Sequence, residues 1–187
     1  MARFISAIFF CFLLLLSSKV QAQNWQIIKE ESSLGFVGKQ LNADFEGVFE
    51  EYSADIYFDP NDLPKTKIKV LVNLGSINTG SVDRDNGVKE DVWFDLNSHP
   101  QATLLSDHVV HLEGDNYQLY GRFTLKGITR DIVIPFTFVQ NQGVASVYSD
   151  SFSFDRTEYK VGTGEWSDES VIGHMMTVVF DLKARPQ

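Results

Sequence analysis

Residues 119–138 read LYGRFTLKGITRDIVIPFTF, and the fold class is clearest in this stretch. The residues at every second position are apolar or glycine through 119–125, and apolar residues alternate again through 132–138. Because successive side chains of a strand point to opposite faces, each run predicts a strand with one buried face. Lys126-Gly127 between them is a turn signal, so the two runs predict an antiparallel hairpin. Pro135 faces away from the apolar set and indicates a sheet edge or a bulge, since proline donates no ladder hydrogen bond.

The same alternation recurs through the rest of the chain. It predicts further strands over residues 33–38, 45–58, 67–74, 103–112, 145–154 and 176–183. The longest of these is expected to bend near Gly47. Residues 83–96 predict a short helix, and residues 159–173 predict a loop rich in glycine and acidic residues. About eight strands fit either a sandwich or an up-and-down barrel. A closed barrel of that size can hold one small ligand.

The first twenty-two residues differ from the rest of the chain. Arg3 precedes an apolar run over residues 4–16, and Val20-Gln21-Ala22 places small residues three and one positions before Gln23. This is the pattern of a cleavable signal peptide. An uncleaved membrane anchor is the alternative, but the run is shorter than the ~20 residues that a spanning helix needs. We therefore expect a signal peptide at 1–22 and one domain at 23–187.

The composition of the remaining chain limits its partners. Without Arg3 and Lys19, 14 basic residues face 25 acidic ones, which is a net charge of −11. Nucleic acids and anionic lipid surfaces bind through lysine and arginine, so neither is expected as a partner. Charged residues on the outward strand faces also disfavour stable membrane insertion as an outer-membrane barrel. The single cysteine, Cys11, lies in the signal peptide, so disulfides and thiolate chemistry are excluded from the mature domain.

No pattern of catalytic or metal-binding residues stands out. His108 and His111 would point to opposite faces of a strand and could not hold one ion, so neither a metal nor a cofactor is expected. The strongest enzymatic alternative is a hydrolase that uses Glu165 and Asp168 or His174, near Trp166. Paired acids beside an aromatic ring occur in glycosidases. A solvated loop explains the same residues, and we expect no catalytic site.

Arg84 stands between Asp83 and Asp85 in the predicted helix. One interpretation is a buried ion pair that pins this irregular segment to the barrel. The other is a guanidinium that meets an anionic head group. The spacing favours the structural role and leaves the second one open.

Several short motifs, taken in order, give the chain a resemblance to a known family. It resembles the YceI-like family of bacterial periplasmic proteins across the whole region after the signal peptide. One departure is Asp131, where the family often has proline. The resemblance is carried by Phe36-Val37, Gly47-x-Phe49, Ser76-Ile77-Asn78-Thr79-Gly80, Arg84-Asp85, Phe94-Asp95, Pro100, the run from Gly121 to Arg130 and Val161-Gly162-x-Gly164-Glu165-Trp166.

The resemblance implies an all-β, antiparallel, lipocalin-like up-and-down barrel of about eight strands with one short helical segment. It implies a periplasmic carrier whose lumen holds a long apolar ligand, such as a polyisoprenoid or an isoprenoid quinone, without catalysis. Arg84 and Lys89 are candidates to meet the head group. The candidate lumen residues, which also follow from the inward apolar faces, are Phe36, Phe49, Trp93, Phe94, Phe123, Phe152, Phe154 and Trp166.

Two further expectations concern the partners of this domain. A monomer or a homodimer is expected. A structural or stress-related module that binds another exported protein is a third functional hypothesis, and a packed lumen with a large exposed apolar patch would favour it.

Overall fold

The computed structural model describes residues 23–187, so the predicted signal peptide at residues 1–22 lies outside the described residues. This part of the chain is mainly β-structure, with one short α-helix, α1 (Val82–Gly87), and several 3₁₀ turns. Its eleven strands are β1 (Gln23–Ile27), β2 (Ser33–Gln40), β3 (Ala43–Phe49), β4 (Tyr52–Phe58), β5 (Lys67–Asn73), β6 (Ile77–Asn78), β7 (Gln101–His111), β8 (Asn116–Leu125), β9 (Ile128–Asn141), β10 (Val144–Asp155) and β11 (Met175–Pro186).

Eight of these strands close into a ring. The antiparallel order is β1-β4-β5-β7-β8-β9-β10-β11, and β11 pairs back onto β1 with Ile27 opposite Ala184. The strands β2, β3 and β6 continue β1, β4 and β5 after short breaks, since β11 also pairs with β2 and β3 pairs with β6. The prediction of an up-and-down barrel of about eight strands is confirmed, and the sandwich alternative is excluded.

Two details of the predicted strands were wrong. The strand expected over residues 45–58 is interrupted at Glu50-Glu51, not at Gly47. Gly47 remains within β3, opposite Phe36 of β2. A Cβ at residue 47 would lie 2.5 Å from Cζ of Phe36, so glycine is needed there to admit the ring. The strand β1 was not predicted, because five residues with only two apolar side chains show little periodicity.

Pro135 lies where β9 lacks a partner on one side. The pairing of β9 with β10 covers only the stretch from Thr137 to Asn141. On the other side, Pro135 lies opposite Gln118 of β8. Because Pro135 lies beyond the β9–β10 ladder, its missing N–H costs no hydrogen bond there.

The core divides between the two ends of the barrel. One end holds a cluster of aromatic rings, and the connection over residues 59–66 packs beneath it through Leu63. The other end lies under α1 and the segment over residues 156–174, where the buried cluster is smaller and mostly aliphatic. The aromatic floor, as we call the rings that line the lumen at the first end, consists of Trp25, Phe58, Phe136 and Phe138.

Candidate ligand-binding site

The barrel encloses a cavity of about 560 Å³. The inward positions of the strands supply its walls, and these side chains are mainly phenylalanine, isoleucine, leucine and valine. The aromatic floor bounds one end of the cavity. Its volume lies within the range of about 300–1,000 Å³ that is usual for small-molecule sites.

All eight side chains proposed from the sequence as lumen residues line this cavity. Those on strands reach it because strand alternation turns them inward, as with Phe36 in β2 and Phe123 in β8. Trp93 and Phe94 reach it from the connection that follows α1, and Trp166 reaches it from a single 3₁₀ turn, Gly164–Ser167. Phe49, Phe152 and Phe154 complete the set. Their role in binding a ligand stays a prediction.

Polar side chains that line the cavity gather at the end opposite the aromatic floor. We call this group the mouth: Gln40, Thr79, Ser81, Asp83 and Arg84. Helix α1 places the last two. Ser81 caps its N-terminus, and the Ser81 side chain accepts a hydrogen bond from the backbone N–H of Arg84 at 3.4 Å. A ligand with one polar end would therefore find most of the hydrogen-bonding side chains of this apolar chamber at the mouth.

The guanidinium of Arg84 has no carboxylate partner within ion-pair distance among residues 23–187, so the favoured ion-pair interpretation is wrong. The carboxylate of Asp85 instead accepts hydrogen bonds from the backbone N–H and hydroxyl of Thr79, at 2.9 and 2.7 Å. Arg84 donates only long hydrogen bonds, to the Thr79 carbonyl at 3.5 Å and to Oε1 of Gln40 at 3.4 Å. Its Cζ lies 4.8 Å from the ring centre of Phe45. Weak neutral acceptors leave this cation able to bind a further acceptor.

Lys89, the other candidate for a head group, does not line the cavity. Its Nζ donates to Oδ1 of Asn86 at 3.4 Å on the protein surface. The two cations proposed for this role are thus separated by the structure. Only Arg84 lies at the mouth.

Arg156 is the important residue that the sequence did not reveal. It is 1% exposed and lines the cavity at the mouth end. Its five N–H groups make five hydrogen bonds, at 2.6–3.0 Å, to backbone carbonyls, namely those of Val161, Gly162, Trp166, Ile172 and Gly173. Burial lowers the pKa of Arg156, and the nearby Asp155 carboxylate partly opposes this effect. The Arg156 guanidinium thus holds the loop over residues 156–174 together without an ion-paired carboxylate among the described residues. No side-chain pattern could predict this, because every acceptor is a backbone atom.

Two tryptophans lie close together at the mouth: Trp166 within this loop and Trp93 in the connection after α1. The ring centres of Trp93 and Trp166 are 5.7 Å apart, and Cζ of Arg156 lies 5.5 Å from the ring of Trp93. Gly162 has φ +73° and packs against both Arg156 and Trp93, so a Cβ there would collide with Nη1 of Arg156 and lie 2.9 Å from Cζ3 of Trp93. The loop is therefore held against the connection after α1 by close packing as well as by hydrogen bonds.

Tyr52 is a second lumen residue that the sequence did not single out. Its hydroxyl is buried and has no hydrogen-bond partner in the part of the chain that the structure describes. Burial raises its pKa, and the neighbouring Ser32 hydroxyl lowers it in part without reaching hydrogen-bond geometry. Tyr52 begins β4, and Ser32 belongs to the connection between β1 and β2.

The residues of the hydrolase alternative do not converge on the cavity. Glu165 and Asp168 are exposed, and Nε2 of His174 lies 2.9 Å from the Ser167 carbonyl. Hydrogen bonds from the side chain and backbone of Ser170 lower the pKa of Asp168, whereas a general acid needs a raised one. Within the described range, no group of three or more His, Cys, Asp or Glu side chains could hold a metal ion. Likewise, none of its helices is long and apolar enough to cross a membrane.

Comparison with known families identifies the domain. A family model described as the YceI-like domain matches residues 25–184, which is most of the chain. The chain belongs to the YceI-like family. The resemblance inferred from the motifs is thereby confirmed, and the barrel with its lumen is the part that the match covers.

Relatives and solved structures of this YceI-like domain agree with the fold. A UPF0312 protein of Pectobacterium atrosepticum is 30% identical over 86 residues, and the match spans 46% of this chain and 44% of that relative. A UPF0312 protein of Photorhabdus laumondii is 26% identical over 125 residues, which are 65% of each chain. BcnA of Burkholderia cenocepacia superimposes with a TM-score of 0.81 at 29% identity, over 84% of this chain and 98% of that one.

A polyisoprenoid binding domain from Saccharophagus degradans has the same fold. It superimposes with a TM-score of 0.71 at 17% identity, over 88% of this chain and 99% of that one. At that identity the likeness concerns the barrel alone.

Proposed function

We propose that this YceI-like protein binds one long apolar molecule of the isoprenoid-lipid or isoprenoid-quinone class in its barrel and carries it through the periplasm. The observation that carries this proposal is the shape of the cavity, which is apolar along most of its walls, bounded by aromatic rings at one end and lined by most of its polar side chains at the mouth. Burial of apolar surface contributes roughly 25 cal/mol per Å². A long hydrocarbon chain would gain most from such a chamber, and its polar end would remain at the mouth.

The named polyisoprenoid-binding relative with this fold supports the ligand class, although its own ligand is a property of that protein. The open lumen also weighs against the hypothesis of a purely structural module, which required a packed barrel. The exposed acids of the hydrolase alternative lie outside the chamber. Binding is therefore the function that the geometry supports best.

Within this proposal Arg84 contacts the polar end of the ligand. Its guanidinium lies at the mouth and makes only long hydrogen bonds to neutral oxygens, so it can donate to a phosphate, carboxylate or carbonyl oxygen. Lys89 is less suited, because it does not line the cavity. Substitution Arg84→Gln should weaken ligand binding, whereas Lys89→Gln at the surface should leave it nearly unchanged.

Export by the predicted signal peptide at residues 1–22 is the second part of the proposal. The family match begins at residue 25, which leaves these residues outside the domain. Expression of the full chain in a Gram-negative host should give a periplasmic protein whose N-terminus is Gln23. A full-length cytoplasmic product would contradict this part.

Native mass spectrometry of protein purified without detergent tests the binding function. We expect a retained mass increment that lipid extraction identifies as an isoprenoid chain. Protein that carries no increment and fails to bind isoprenoid alcohols in titration would overturn the proposal.

A further inference from the structure

The aromatic floor is built from rings that lock one another in place. The ring centres of Phe58 and Phe138 are 4.8 Å apart, and Trp25 meets Phe138 edge to face at 5.7 Å. Nε1 of Trp25 donates to the Phe58 carbonyl at 3.0 Å, which fixes the indole across two strands. Phe136 closes the group 6.0 Å from Phe58. Each ring therefore has neighbours that restrict its rotamer.

The floor is also supported from behind. Tyr117 does not line the cavity but stacks on Phe136 at 5.4 Å and meets Phe58 edge to face at 5.5 Å. Burial raises the pKa of the Tyr117 hydroxyl, as expected for a ring beneath the lumen. Below the floor, the connection to β5 is held by Asp59, whose carboxylate accepts from the Asn61 N–H at 2.8 Å. The rings have little space to retreat.

The wall beside the floor is lined by the smallest side chains. Ala145 of β10 and Ala184 of β11 lie opposite each other in the ladder and both line the cavity. They are 0% and 2% exposed, so the aromatic rings already use the space that larger residues would fill. At the depth of these two alanines the lumen is closed by aromatic rings and does not narrow gradually. The depth of the cavity thus depends on a few identifiable rings.

We infer that the aromatic floor sets the greatest length of apolar chain that the lumen accepts. This inference rests on the proposed function. The polar end of the ligand is held at the mouth by Arg84, and the far end of the chain abuts Phe58 and Phe138. Because both ends are fixed, a chain longer than the distance between them must leave its polar end out of reach of the mouth. Affinity then falls above a limiting length instead of rising with each added apolar unit.

A series of isoprenoid alcohols tests this inference. Geraniol, farnesol, geranylgeraniol and solanesol are competed in equimolar mixtures for the delipidated full domain, and the bound fraction of each is read by native mass spectrometry. In the double variant Phe58→Leu/Phe138→Leu the floor is lowered, and the preferred length should increase by about one member of the series. The variant Ile134→Phe adds a ring above the floor, since residue 134 lines the lumen there, and should shorten it.

Phe154→Leu is the matched control, because it removes the same ring from the wall near the mouth. It should weaken binding of every alcohol by a similar factor and leave the preferred length unchanged. Circular dichroism and thermal unfolding check that each variant folds. If one floor variant fails to fold, the other still tests the direction of the shift.

The outcomes separate the inference from the function on which it rests. Binding with the same preferred length in the wild type and in the folded floor variants would overturn the inference alone. An equal shift in Phe154→Leu would also overturn it, because any enlargement of the lumen would then suffice. Failure of the wild type to bind any member of the series would overturn the proposed function, and with it the inference.

Discussion

The two ends of the barrel are stabilised by different interactions. At the aromatic floor, regularly paired strands deliver rings such as Phe58 and Phe138, and packing between them excludes water. At the mouth, the chain is irregular, and the buried guanidinium of Arg156 satisfies five backbone carbonyls that no strand pairs. Strand pairing already satisfies the backbone at the floor, so the side chains there can all be apolar. The irregular chain at the mouth has carbonyls without strand partners and needs a buried polar side chain to bind them. The comparison predicts that the ends differ in what destabilises them.

The largest effect is expected from Arg156→Met, which retains most of the apolar stem and removes the five donors. Buried carbonyls without partners are costly, so the free energy of unfolding should fall by about 3–5 kcal/mol. Urea denaturation measures this loss. Hydrogen exchange should show that residues 156–174 lose protection before the strands do.

Arg122→Met is the control for that variant. Arg122 is half-exposed on the outer wall, where Nε lies 3.4 Å from Oδ1 of Asp107. Exposed ion pairs contribute less than about 1 kcal/mol, so this change should be small. Equal losses in the two arginine variants would show that the mouth does not depend on its polar centre.

Phe58→Ala tests the floor and should cost about 3–4 kcal/mol, because it opens a cavity among fixed rings. Phe45→Ala at the mouth should cost about half as much, since Phe45 is only half-buried and the rim can relax. Thermal and urea unfolding measure both. A larger loss at Phe45 would reverse the assignment of the rigid end.

A pair of glycines distinguishes packing from backbone conformation. Gly162 and Gly143 both have positive φ, +73° and +86°, but only Gly162 has neighbours within 4 Å of an added Cβ. Alanine at Gly143 should cost about 1 kcal/mol from backbone strain, and alanine at Gly162 about 2 kcal/mol or more, because it also displaces Arg156. Similar losses in the two variants would mean that the contact with Arg156 is easily relieved.

The smallest effect is a dependence on pH at the mouth. Burial alone would raise the pKa of Asp155, but hydrogen bonds from the Thr157 hydroxyl and N–H outweigh it, and the folded-state pKa lies below 3.8. The unfolded chain then binds the proton more readily, so the stabilisation is present above pH 3.8 and lost as the pH falls through the folded-state value. Asp155→Asn should flatten part of this dependence in the unfolding free energy, and Asp168 should retain its own share.

The barrel itself followed from the sequence to a large extent. Alternation located most strands within a few residues, and Pro135 marked the place where β9 loses its partner. The short strand β1 was missed, because it depends on pairing with β4 and β11 instead of on local periodicity. The break at Glu50-Glu51 was missed as well, and there both backbone N–H groups donate to Ser76, which is remote in sequence. Gly47 was interpreted as the site of a bend, although glycine is needed there to leave room for the Phe36 ring on the neighbouring strand β2.

The residues of the site likewise divide into those that the sequence predicted and those that it did not. Lumen residues such as Phe36 and Phe123 could be predicted, because the direction of a strand side chain is a local property of the backbone. The partner of Arg84 could not, since Asp85 is adjacent in sequence yet is occupied by Thr79. The role of Arg156 could not be predicted from the sequence, because every residue has a backbone carbonyl and its presence carries no sequence signal.

Residue types and their alternation were enough to establish inward apolar faces on a chain of antiparallel strands. The tertiary structure was needed to show that these faces surround a chamber of about 560 Å³ instead of packing against one another. Closure depends on the pairing of β1 with β11, which lie at opposite ends of the described chain. Depth depends on the rings that meet at the aromatic floor, and polarity at the mouth depends on which acceptors the two arginines meet. These are distances between residues remote in sequence, and no local pattern encodes them.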